Sequence, residues 1–61
     1  MRVKIYDINA YGDETLRREC DLRECFPDFT NEYAWARAEL RDNGRWWIGG
    51  GDKPLQRLVR A

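Results

Sequence analysis

From Met1 to Asn9 the chain alternates, with Val3 and Ile5 on one face and Arg2, Lys4, Tyr6 and Ile8 on the other, the period-two pattern of a half-buried strand. Tyr11-Gly12-Asp13-Glu14 supplies turn chemistry, and a two-residue loop with glycine first suits a type II′ hairpin. With Gly12 and Asp13 as that loop, Asn9 faces Leu16, Asp7 faces Arg18, Ile5 faces Cys20 and Val3 faces Leu22. The same register sets Lys4 across from Asp21 and Tyr6 across from Glu19. Residues 15–26 read as the second strand through the even-numbered stripe Leu16, Cys20, Leu22 and Phe26. A short helix is the alternative, because Leu16, Arg17, Arg18, Glu19 and Glu24 have fair helix propensity.

Phe26-Pro27-Asp28-Phe29 interrupts the pattern, Thr30 suits an N-cap and Glu32 suits the first turn of a helix over residues 31–43. Gly44 follows at the left-handed cap position. The inward face of that helix is Tyr33, Ala36 and Leu40, extended backward by Phe29, while Trp35 lies about 200° around the axis from Tyr33 and faces away. Residues 45–48 are a β-type run, residues 49–54 a loop and residues 55–60 a last strand, a sheet edge able to pair with a second copy. The expected fold is α+β: an antiparallel sheet of three to four strands with one helix packed on one face, in the order β-β-α-β-β. Its core is Val3, Ile5, Leu16, Cys20, Leu22, Phe26, Phe29, Tyr33, Ala36, Leu40, Ile48 and Leu58. Parity decides between the adjacent tryptophans: if Ile48 faces inward so does Trp46, and Trp47 faces out.

Sixty-one residues leave room for one domain, spanning 1–61, and a chain this short buries roughly 60% of the surface its unfolded form exposes. Every large apolar side chain outside the core therefore asks for an explanation. The sequence is 43% hydrophobic and 36% charged with a formal net charge of zero, which excludes a disordered polyelectrolyte. Its longest uncharged stretch, Trp46 to Gly51, is far below the roughly 18 residues a membrane span needs, and Met1-Arg2-Val3-Lys4 does not lead into a signal-peptide core. The expectation is a cytoplasmic protein whose mature form is the whole chain. Charge is uneven: residues 1–43 carry seven basic and ten acidic groups, whereas residues 44–61 carry Arg45, Lys53, Arg57 and Arg60 against Asp52 alone.

Cys20 and Cys25 lie about 16 Å apart on opposite faces of an uninterrupted strand, or about 140° apart around a helix, beyond disulfide reach in either case. Their spacing is not that of a zinc knuckle, and the chain has no histidine, so reduced structural thiols are expected and no metal or cofactor. The lack of both histidine and serine removes the usual proton shuttle and hydroxyl nucleophile, and the chain does not read as an enzyme. Gly49-Gly50-Gly51-Asp52-Lys53 lacks the full phosphate-loop pattern, and Pro54 cannot sit inside the helix that such a loop opens. A hairpin loop explains one or two glycines; three also suit close approach by a partner backbone.

Two binding classes remain. A nucleic-acid module would use the basic C-terminal third, with Arg57 and Arg60 beside aromatic side chains, against a net charge of zero. A protein-binding module accounts for more of the chain, because Trp, Tyr and Arg dominate interface energetics and Trp35, Trp47, Tyr6 and Tyr11 fall outside the core. The candidate contact residues are Trp35, Arg45, Trp47, Gly49, Gly50, Gly51, Lys53, Arg57 and Arg60. The order of strand, hairpin, Phe26-Pro27-Asp28 and helix resembles the N-terminal part of the HicB antitoxin family over about half the chain, without that family's DNA-binding segment. That resemblance implies an antitoxin-like partner protein. In size and organisation the chain is also similar to small phage-encoded proteins, including anti-CRISPRs, which act by occupying a surface of a large host nucleoprotein complex. That resemblance implies an inhibitor working by steric occlusion, and carries no functional residue across.

Overall fold

The computed structural model describes residues 1–26 and 31–61, with Lys53 described for its backbone only. Four strands, β1 (Arg2–Ile8), β2 (Glu14–Asp21), β3 (Arg45–Gly50) and β4 (Lys53–Arg60), and one helix, α1 (Asn31–Asn43), follow one another in the order β1-β2-α1-β3-β4. The strands form one antiparallel sheet with the spatial order β2-β1-β4-β3, so the fold is α+β. β4 is thus an interior strand, bonded on both sides, and the free edges are β2 and β3. The expectation of a C-terminal edge strand is corrected: β1 and β4, the first and last strands, pair in the centre and leave the others outside.

The β1–β2 hairpin forms with a different turn and register from those expected. Asn9 donates its backbone N–H to the Asp13 carbonyl, and Gly12 donates to the Asn9 carbonyl, enclosing a three-residue loop in which Gly12 has φ +83°. The Asn9 side-chain Oδ1 fixes this loop by accepting from the N–H groups of Tyr11 and Asp13 at 2.9 and 3.0 Å. In the far half of the ladder Val3 faces Cys20 and Ile5 faces Arg18, two residues removed from the expected register. A slip of two keeps every side chain on its face, so Val3, Ile5 and Cys20 still meet in the core. Between Ile5 and Tyr6 the register shifts again at a bulge that accommodates Arg17, and Leu16 comes opposite Tyr6. The expected burial of Leu16 is therefore corrected: one extra residue turns it to the other face, where it is 52% exposed.

β2 ends at Asp21, short of the expected Phe26. Asp21 caps a 3-10 turn over Leu22–Cys25: its Oδ1 accepts from Arg23 N–H at 2.9 Å, and the Glu24 carboxylate accepts from the Asp21 N–H at 3.1 Å. The turn buries Leu22 completely and brings Phe26 edge-on to Tyr33, with ring centroids 6.2 Å apart. Helix α1 has the expected extent and ends at Gly44, whose N–H reaches the carbonyls of Leu40 and Glu39 with φ +81°. The expected Pro27-Asp28 turn, Thr30 cap and Phe29 core position lie outside the described residues.

Ala36 and Leu40 carry the helix onto β3 and β4, on the sheet face formed by Val3, Ile5, Cys20 and Leu58, with Trp46, Ile48, Tyr33, Phe26 and Cys25 packed around that cluster. Among the described residues, the expected core is found in these side chains and Leu22, with Leu16 the exception. β4 begins at Lys53, so the expected six-residue loop shrinks to Gly51 and Asp52 between strands that pair Gly50 with Lys53. No element among the described residues covers the opposite face of the sheet.

Candidate functional site

The uncovered face is defined by register. Directly opposite residues share a face, so the pairs Leu16–Tyr6, Tyr6–Arg57 and Arg57–Trp47 draw one row across all four strands, from β2 through β1 and β4 to β3. Ile8 and Leu55 form the start of a second row beside it, and Val59 belongs to a third. Leu16 and Trp47 stand 52% and 50% exposed at the two ends, while Tyr6, Arg57, Ile8 and Leu55 are half-buried. Parity works as the sequence required: Trp46 packs inward with Ile48, and Trp47 faces out.

The centre of the row is braced. The Arg57 guanidinium lies 5.4 Å from the centroid of the Tyr6 ring and donates to Glu14 Oε2 at 2.6 Å, reaching across β1 to bind β2. Arg60 donates to the backbone carbonyl of Arg41 at 2.9 Å, on the helix side, which removes it from the row. The two arginines expected to act together are thus on different faces, each engaged within the chain. On the helix side of the sheet, Asp7 accepts from Gln56 at 2.8 Å and from Arg17 at 2.9 Å. These bonds, that of Gln56 first, hold its carboxyl below the ordinary value.

At the β3 edge, backbone geometry adds to the side chains. Arg60 N–H donates to the Gly44 carbonyl at 3.0 Å, which makes Gly44 and Arg60 a hydrogen-bonded pair. In an antiparallel ladder bonded and non-bonded pairs alternate, so Trp46–Leu58 is bonded and Arg45–Val59 and Trp47–Arg57 are not. Arg45 and Trp47 therefore direct their N–H and C=O groups away from β4, toward the free edge. The two edges are protected unequally. β2 carries Glu14, Arg17, Arg18, Glu19 and Asp21 and a bulge, the usual devices against strand pairing, whereas Arg45 is the only charged residue of β3.

Glu39, Arg45, Trp46 and Trp47 line a shallow groove where α1 passes this edge. Trp35, 64% exposed, sits one helical turn before Glu39 on the same stripe of α1. The structure thus gathers Arg45, Trp47 and the glycine turn along β3, with Trp35 on the flanking stripe and Arg57 on the adjoining face. It leaves Arg60 apart, and the Lys53 side chain lies outside what is described. Gly49, Gly50 and Gly51 all have positive φ, and a Cβ on Gly49 would collide with the Pro54 carbonyl oxygen. The third glycine, expected to admit a partner backbone, has this conformational account as well. Leu16 was missed as a surface residue, because nothing in Leu16-Arg17-Arg18 marks a bulge.

The thiols differ most from the sequence expectation. Both are free, and their Sγ atoms lie 3.8 Å apart, because the chain is neither continuous strand nor continuous helix between them. Burial, and then the thiol contact with Cys20, push the Cys25 thiol up to about 12, so it is protonated at neutral pH. Among the described residues no group of three or more His, Cys, Asp or Glu is placed to hold a metal ion, and no helix is long and apolar enough to cross a membrane. Compared with known proteins, the chain matches no protein-family model, no curated protein and no solved structure.

Proposed function

We propose that this chain is a small protein-binding module whose contact surface is the β3 edge together with the adjoining uncovered face of the sheet. One observation carries the reading: Trp47 presents both unpaired backbone groups at a free edge and a half-exposed indole on the face beside it. An extended partner segment would add as a fifth strand through main-chain bonds to Arg45 and Trp47, with the indole supplying the apolar anchor. Arg57, held rigid by Tyr6 and Glu14, extends that anchor at little further entropic cost.

The partner class is the one implied by the resemblance to small phage-encoded inhibitors: a surface of a large host nucleoprotein complex, occluded in the cytoplasm without catalysis. A nucleic-acid partner draws less support, since Arg57 and Arg60 already have acceptors within the chain and the net charge is zero. Copurification from a host lysate with quantitative mass spectrometry tests the reading. Trp47→Ala is expected to keep the melting temperature within a few degrees and to reduce partner recovery at least tenfold, on the order of 1.4 kcal/mol or more of binding. Trp35→Ala, on the flanking stripe, is expected to have the same direction and a smaller size. Unaltered recovery with Trp47→Ala, or unfolding of both variants, would remove the surface reading.

A further inference from the structure

We propose that Cys20 and Cys25 are an oxidative modification site, closing to an intramolecular disulfide that staples the end of β2 to the 3-10 turn. The pair is placed for it by features that owe nothing to the thiols. The reciprocal bonds of Asp21 and Glu24 hold the turn on the strand end, and Leu22, completely buried, pins it to the core. With the turn so fixed, the two Sγ atoms stand 3.8 Å apart, and the remaining approach of roughly 1.8 Å to an S–S bond falls to the side chain of Cys25, the last residue of the turn.

Accessibility sets the order of events. Cys20 is 3% exposed and Cys25 is half-buried, so a disulfide reagent of the oxidised-glutathione class meets Cys25 first. The Cys25 sulfur, on losing its proton, attacks one sulfur of the reagent; the reagent's S–S bond breaks, and one glutathione leaves as the thiolate and takes up that proton. The Cys20 sulfur then attacks the Cys25 sulfur of the mixed disulfide, and the second glutathione departs with the Cys20 proton. Two thiols are oxidised to one disulfide and one disulfide is reduced to two thiols. Reduced surroundings keep the pair open, so the staple reports the redox state of the compartment. Because Phe26 follows directly and meets Tyr33 edge-on, closure ties β2 through this contact to helix α1.

The test is equilibration of the whole chain with glutathione buffers of increasing oxidised fraction at mildly alkaline pH, followed by acid quench, thiol alkylation and intact-mass measurement. The expected product is a monomer lighter by two hydrogens with no alkylated cysteine, restored by dithiothreitol, and melting about 10 °C higher than the reduced form. Cys25→Ser and Cys20→Ser should both lose the closed product and the shift in melting. Two free thiols throughout, a glutathione adduct that never resolves, a disulfide between two copies, or a melting shift that survives in Cys25→Ser would each overturn the proposal.

Discussion

Leu58→Ala is expected to cost about 3–4 kcal/mol, read as a large drop in the urea midpoint followed by circular dichroism. Leu58 is completely buried on the interior strand β4, with Ile5 opposite it on β1 and Trp46 opposite it on β3, so its removal opens a cavity where three strands meet. A chain of 61 residues has a total stability of only about 3–9 kcal/mol at the usual value per residue. The loss therefore takes between about a third and the whole of the stability, and at the low end of that range the variant is largely unfolded at room temperature. A loss below about 1 kcal/mol would mean that Leu58 is not at the centre of the core.

Gly49→Ala is expected to cost about 3 kcal/mol, and Gly50→Ala and Gly51→Ala about 1 kcal/mol each. All three positions have positive φ, at +87°, +102° and +62°, so each alanine carries conformational strain. Only at Gly49 does the added carbon also meet backbone, the Pro54 carbonyl, where the neighbour cannot rotate away; at the other two there is open space. The contrast among the three variants in one denaturation series is the informative reading. Equal effects would show that the turn is not folded against Pro54 as described.

Much of the architecture was legible because it follows from periodicity. Alternation in Val3 and Ile5, the helix over Asn31–Asn43 with its Gly44 cap, and the opposed facing of Trp46 and Trp47 depend on spacing alone, and each is found. What escaped depends on single-residue irregularities. The Arg17 bulge adds one residue to β2 and so moves Leu16 from the core to the open face, an event with no compositional mark. The Cys20–Cys25 approach did have one: Asp21-Leu22-Arg23-Glu24 carries the spacing of a capping box, a start signal for helical turns set inside an apparent strand. The candidate surface was half legible, since exposed tryptophans can be read from parity. Its edge could not be, because the order β2-β1-β4-β3 is decided by which strands pair at long range.

The free edge also explains why the basic residues of the last strand are poor guides to function. Arg57 and Arg60 alternate too imperfectly to share a face, and the fold gives one to Glu14 and Tyr6 and the other to the Arg41 carbonyl. A partly exposed ion pair such as Arg57–Glu14 contributes about 1 kcal/mol or less to stability, so its main effect is to position the two side chains. Trp47, with Arg45 two residues before it, keeps both backbone groups and side chain available at the β3 edge.

Amide hydrogen exchange of the chain, alone and in complex with the captured partner, reads the β3 edge residue by residue. Rapid exchange is expected at Arg45 and Trp47 in the free chain, because their N–H groups face the open edge, and slowing of about tenfold or more at both on binding, with β2 unaffected. Protection confined to β2 or α1, with Trp47 exchanging as fast in the complex as in the free chain, would contradict binding at that edge.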